Sequence, residues 1–142
     1  KLKELGVTGP RVGELSRVGS VQVGERTVTV DEVSTYRPGS VFAFVMDTRV
    51  CAGAVALARD ADLLVMEATY AAAHQDLATA HGHSSSEDAA RTALAAGARQ
   101  LAITHFSQRY SDTDAHLAEA RAIFPDTVAL KDLDRVVIHR RK

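Results

Sequence analysis

Three short apolar runs, each ending in a polar residue of acid, base or ligand type, constrain this chain more than any other feature. Val41-Phe42-Ala43-Phe44-Val45-Met46 leads into Asp47-Thr48, Leu63-Leu64-Val65-Met66 into Glu67-Ala68-Thr69, and Leu101-Ala102-Ile103 into Thr104-His105. None of these runs alternates with polar residues, so each predicts a strand buried on both faces; residues 41–46 read as a central one. Between them, residues 50–59 carry apolar side chains at helical spacing. The Ala-rich stretch 85–96 predicts a helix capped by Ser84 or Ser85, with Glu87 and Asp88 in its first turn and Gly97 as its stop. A further helix is predicted over 114–124, ended by Pro125, with short strands at 127–130 and 136–138. Strands alternating with helices predict an α/β layer architecture.

The segment before the first run is different. Gly9-Pro10 predicts a turn followed by a short helix to about Ser16, and residues 21–23 and 27–30 predict a hairpin around Gly24-Glu25-Arg26. Arg37-Pro38-Gly39 reads as a turn. A length of 142 residues with 46% hydrophobic content suffices for one compact domain. The net charge of −1 argues against non-specific coating of nucleic acid, and no apolar run reaches the roughly 18–20 residues of a membrane helix. Cys51 is the sole cysteine, which excludes an internal disulfide and a cysteine-rich zinc site. It fits a reducing cytoplasm and is expected to be a small buried residue. The chain opens at Lys1-Leu2-Lys3 without Met or a signal-peptide pattern, so it is expected to begin within a longer protein.

In open α/β folds the carboxyl ends of strands converge on the ligand crevice. Asp47, Glu67 and His105 are therefore expected to face one region, and the Gly82-His83-Ser84 turn before a helix can deliver a second imidazole there. Singly, each could be a turn or cap residue; together they form an oxygen and nitrogen set suited to zinc or manganese in a hydrolytic site. The set is incomplete, because a catalytic metal generally has at least three protein ligands. His74, His81, His116 and His139 read as surface or helix-face histidines. The basic C-terminal cluster of Arg135, His139, Arg140, Arg141 and Lys142 reads as a solvated tail.

At these residues the chain resembles the C-terminal half of ribonuclease Z, the tRNA 3′-processing endonuclease of metallo-β-lactamase fold. The likeness runs in order through Lys1-Leu2-Lys3, Gly9-Pro10, Asp47-Thr48-Arg49, Glu67-Ala68-Thr69, Gly82-His83-Ser84, Thr104-His105-Phe106-Ser107-Gln108-Arg109-Tyr110 and Ile123-Phe124-Pro125. It implies the C-terminal half of an αββα sandwich, so that residues 1–142 form part of a single domain whose N-terminal half is absent. It implies that Asp47 bridges two metal ions and that His105 is a terminal ligand of one of them. It further implies that His83 assists the leaving 3′ oxygen while Glu67 orients it. Ser107, Arg109 and Tyr110 resemble the substrate-facing loop, where Arg suits a bidentate phosphate contact. The family's cofactors are two Zn2+ ions, with Mn2+ able to occupy the same ligands; its substrate is precursor tRNA; its setting is a cytoplasmic homodimer.

The chain departs from the family's pattern at Met46, where Gly is common, at Met66, where His is common, and at Gln108. The family's His-x-His-x-Asp-His motif and its further ligand histidine do not occur in this sequence. The expectations are therefore that the chain alone is inactive, binds zinc weakly and exposes an apolar sheet face. Three other readings compete. A receiver-type phosphoacceptor domain would need an upstream acidic pair and a Lys after a later strand, and the third run gives Thr104-His105 instead. Another phosphodiesterase or sulfatase of the same fold would keep the metal site and change the substrate. A degenerate half could act only as an interaction scaffold.

Overall fold

The computed structural model describes residues 1–138. Backbone contacts divide the chain into two compact units, Lys1–Pro38 and the part that begins at Gly39. In the first unit, helix α1 (Pro10–Val18) starts on Pro10, whose missing N–H costs a first turn nothing, and stops at Gly19 in the left-handed region. Strands β1 (Ser20–Val23) and β2 (Arg26–Thr29) form the expected antiparallel hairpin, followed by the single-turn helix α2 (Val30–Val33). Val7, Leu15, Val21 and Val28 make its small core. Residues 34–41 carry no regular element, so Arg37-Pro38-Gly39 forms no assigned turn.

The second unit is built on a four-stranded parallel sheet, ordered β3 (Phe42–Val45), β4 (Leu63–Glu67), β5 (Leu101–Thr104) and β6 (Thr127–Ala129). The crossovers are α3 (Ala52–Leu57), then α4 (Gln75–His81) and α5 (Ser86–Ala96), then α6 (Asp114–Ile123). Strand alternation sorts the sheet into two faces. Ala43, Val45, Leu64, Met66, Leu101 and Ile103 share one core with the helices. Small residues let α5 lie close on that face: Ala89, Ala90 and Ala93 are fully buried. Ser85 caps α5 by a capping box with Asp88, and Gly97 ends it in the left-handed region.

The opposite face is built from Leu63, Val65 and Ala102, packed against Met46, Leu130, Val136 and Ile138. Two expectations fail here. Residues 136–138 pack on this face without forming a strand. Residues 41–46 do not form a central strand either: β3 is the sheet edge, and Phe42 and Phe44 are 54% and 56% exposed. The apolar pattern correctly marks both faces of β3 as fit for burial, but no described element covers the second one. The other departures are local. Residues 50–59 contribute only the short α3, and Cys51 is an exposed residue at its N-terminal boundary rather than a buried one.

His116 is also corrected: it is fully buried, not on a surface. Its ring packs in T-shaped geometry against both Phe106 and Tyr110, at centroid distances of 5.1 and 4.5 Å, and neither nitrogen has a hydrogen-bond partner among the described residues. Burial disfavours the imidazolium and lowers the pKa, although the Glu119 and Asp112 carboxylates pull the other way. His139 and the basic residues after it lie outside the described residues.

A depressed histidine pKa means that the unfolded chain takes up the proton more readily. His116 therefore costs no stability above the ordinary imidazole pKa and destabilises the fold as pH falls through that value. The expected result is a smaller drop in the denaturant midpoint between pH 7.5 and 5.5 in His116→Leu than in the parent chain. At neutral pH the same substitution should change stability by less than about 1.5 kcal/mol.

Candidate functional site

The parallel register brings the strand ends into line. Val45 pairs with Met66 and Glu67 with Thr104, so Asp47, Glu67 and His105 emerge at the same edge of the sheet. Asp47 and His105 both have positive φ, 48° and 60°, a conformation that non-glycine residues adopt at a cost. In both cases the turn leaves the strand abruptly, which keeps a polar side chain at the sheet edge instead of carrying it onward.

The three strand-end candidates and His83, from the turn before α5, come together. Asp47 Oδ1 lies 3.4 Å from His105 Nε2 and 3.9 Å from His83 Nδ1. Asp47, His83 and His105 each place a potential ligand atom within 4.8 Å of the others. Asp47 is 70% exposed, whereas His83 is mostly covered, so the group opens toward solvent on its carboxylate side. These are nitrogen and oxygen donors of the kind that hold a divalent metal ion, and they fit one as part of a larger ligand set.

Glu67 is the buried member. Its Oε1 accepts the Thr48 backbone N–H at 2.5 Å, and its Oε2 accepts the Thr69 hydroxyl at 2.6 Å and the Ser84 backbone N–H at 3.1 Å. The Nδ1 atom of His83 lies 3.1 and 3.2 Å from the two oxygens. Burial pushes the carboxyl pKa up, but the hydrogen bonds from Thr69, Ser84, His83 and Thr48 together hold it below the usual range. The turn before α5 is drawn in as well, because the Ser84 hydroxyl donates to the Thr48 carbonyl at 2.7 Å.

The loop after β5 carries the remaining candidates. The Ser107 N–H donates to the Thr69 carbonyl at 3.0 Å, and the Ser107 hydroxyl accepts the Arg109 N–H at 3.4 Å. Arg109 is exposed, with its guanidinium carbon 5.3 Å from the Tyr70 ring centroid. The hydroxyl of Tyr110 is engaged inside the unit: it accepts the Ala71 N–H at 3.0 Å and lies 2.9 Å from His74 Nδ1. Arg109 is thus the exposed cation of this loop, and Tyr110 is its anchor. A cleft of about 690 Å³ runs beside the site, with His105, Phe44, Met46 and Phe106 among its lining.

Thr69, Thr48 and Tyr70 were not among the sequence candidates. Thr48 acts through its backbone, which no sequence signal marks. Thr69 stood inside a recognised tripeptide, and its polar side chain two residues after a buried Glu was the available clue.

No protein-family model matches the chain. Among curated proteins it is 50% identical to ribonuclease Z of Nocardia farcinica, over all of this chain and 47% of that protein. It is 47% identical to ribonuclease Z of Streptomyces coelicolor, over all of this chain and 46% of that protein. Among solved structures, human tRNase Z (short form) aligns with 80% of this chain and 37% of its own, at 30% identity and a TM-score of 0.57. A metallo-β-lactamase fold protein of Bacillus subtilis aligns with 60% of this chain and 35% of its own, at 32% identity and a TM-score of 0.53.

Two substitutions should move stability in opposite directions. Asp47→Gly removes an exposed side chain from a left-handed position and is expected to gain about 0.5–1 kcal/mol while weakening any metal binding. Glu67→Gln turns an amide N–H toward buried backbone donors and should lose about 3 kcal/mol. Denaturant unfolding of both variants, with calorimetric Zn2+ titration of Asp47→Gly, checks the pair.

The chain spans about half the length of the curated relatives it matches, and over its full length it corresponds to the C-terminal part of ribonuclease Z, with the metallo-β-lactamase fold.

Proposed function

We propose that this chain is the C-terminal half of a metal-dependent endoribonuclease that hydrolyses a phosphodiester bond to mature the 3′ end of precursor tRNA. One observation carries the reading: a buried carboxylate, Glu67, holds His83 directly beside the Asp47–His105 pair, in a chain that matches ribonuclease Z throughout. In this reading Asp47 and His105 hold zinc, with manganese an acceptable substitute for the same donors. Metal ions in such a site polarise the attacked phosphate and lower the pKa of water.

The chain's own residues divide the remaining work. Glu67 accepts a hydrogen bond from His83 Nδ1–H and so leaves Nε2 to exchange a proton with the leaving 3′ oxygen. Arg109, exposed beside the Tyr70 ring, is placed to pair with a substrate phosphate. Ser107 shapes the same loop, and Tyr110 fixes it from within. Met46 and Met66 occupy positions next to the site without contributing ligand atoms of the required kind.

Asp47 and His105 are too few to retain a catalytic metal, so the missing ligands come from the N-terminal half of the relatives' length. That half also supplies a cover for the exposed Phe42 and Phe44 face of the sheet. The resemblance further implies a homodimer working in the cytoplasm. No helix among the described residues is long and apolar enough to cross a membrane.

The test is precursor-tRNA cleavage in the presence of Zn2+, first with this chain alone and then with the N-terminal half of a matching ribonuclease Z added. The chain alone should be inactive. Recombination should restore cleavage, and Asp47→Ala or His83→Ala should each reduce it by at least about a hundredfold. Cleavage of a generic phosphodiester but not of tRNA would favour another hydrolase of this fold. Inactivity of the folded, recombined halves would favour a scaffold.

A further inference from the structure

The Thr69 hydroxyl stands where three site residues meet. Its Oγ1 lies 2.6 Å from Glu67 Oε2, 2.8 Å from His105 Nδ1 and 3.4 Å from His83 Nδ1. A hydroxyl has one proton to give, so Thr69 can donate in only one of these contacts. Backbone N–H groups of Thr48 and Ser84 point at the two Glu67 oxygens, which therefore both act as acceptors. The Thr69 proton goes to Glu67, the shortest of the three contacts. The Thr69 oxygen is then left as an acceptor, and the atom 2.8 Å from it, His105 Nδ1, must carry a hydrogen.

We infer that Thr69 is the positioning residue that fixes His105 as the Nδ1–H tautomer and so leaves its Nε2 lone pair beside the Asp47 carboxylate, 3.4 Å away. This deepens the proposed function and takes its meaning from the reading of His105 as a metal-holding residue. A neutral imidazole has a single lone pair, and the hydrogen bond at one nitrogen decides which atom offers it. In the other tautomer His105 would turn an N–H toward the site. Thr69 is buried, which limits replacement of its hydroxyl by water. Its carbonyl also accepts the Ser107 N–H at 3.0 Å, so one residue sets both the imidazole and the loop that follows it. Glu67 thereby serves two histidines, His83 by direct contact and His105 through the Thr69 hydroxyl.

The test reads the His105 tautomer in the full, metal-free chain by long-range 1H–15N spectra at about pH 8, above the ordinary imidazole pKa. The parent chain and Thr69→Ser, which keeps the hydroxyl, should both show Nδ1–H. Thr69→Val, which keeps the shape and loses the hydroxyl, should show a substantial Nε2–H population with its backbone amide spectrum otherwise preserved. Zn2+ titrated alone should bind Thr69→Val about 10–100-fold more weakly than the parent. An Nε2–H His105 in the parent chain overturns the proposal, as does an unchanged Nδ1–H His105 in folded Thr69→Val. Should Thr69→Val not fold, the parent and Thr69→Ser decide: Nδ1–H in both supports the proposal, and Nε2–H in either overturns it. Neither metal nor RNA enters the tautomer measurement, so its failure leaves the nuclease reading standing. Failure of RNA cleavage would equally leave the tautomer result intact.

Discussion

The arrangement of this unit depends on one buried carboxylate. Glu67 closes β4 with no solvent exposure, and its two oxygens take hydrogen bonds from the chain after β3, from the turn before α5 and from Thr69 on its own strand's exit. An ionised group so enclosed would be strongly destabilising without partners. Four donors offset that cost, and in doing so they join segments distant in sequence. A parallel sheet brings strand ends near each other, but it does not by itself set the conformations of the loops that leave them. The carboxylate supplies that order.

The same constraint explains why the exposed part of the site is strained while the buried part is not. Asp47 and His105 adopt left-handed backbone conformations at the ends of β3 and β5, and both face the opening. Glu67, Thr69 and Ser84 lie beneath them in a covered, fully hydrogen-bonded layer. Local strain of this kind persists where surrounding structure over-determines it. Support and exposed donor atoms are therefore separated in space: the layer around Glu67 holds the loops, and the residues above it present nitrogen and oxygen atoms to the opening.

Much of this was legible in the sequence, for identifiable reasons. The runs around Leu64 and Ile103 lack polar alternation because both their faces are covered, and both strands formed as expected. Helix α5 was marked at both ends by Ser85 and Gly97. The rule that strand ends converge is enough to bring Asp47, Glu67 and His105 to one edge from the sequence pattern. The edge position of β3 was not legible, because an apolar strand reads the same whether or not its cover belongs to the same chain. The burial of His116 is not legible, because a single polar residue on an amphipathic helix gives no sign that two aromatic rings pack against it. The role of Thr69 depends on a contact with a residue 36 positions away, which periodicity does not encode.

In the proposed function the Asp47–His105 edge is one wall of a metal site whose remaining ligands come from the N-terminal half of ribonuclease Z. The direct measurement is a crystal structure of the chain assembled with that half in the presence of Zn2+, with anomalous difference density collected at the zinc edge. Metal density is expected within about 2.0–2.2 Å of an Asp47 carboxylate oxygen and of His105 Nε2, with Glu67 still holding His83 Nδ1 and taking no part in coordination. Density absent from this edge, or coordinated by Glu67 in place of Asp47 and His105, would contradict it.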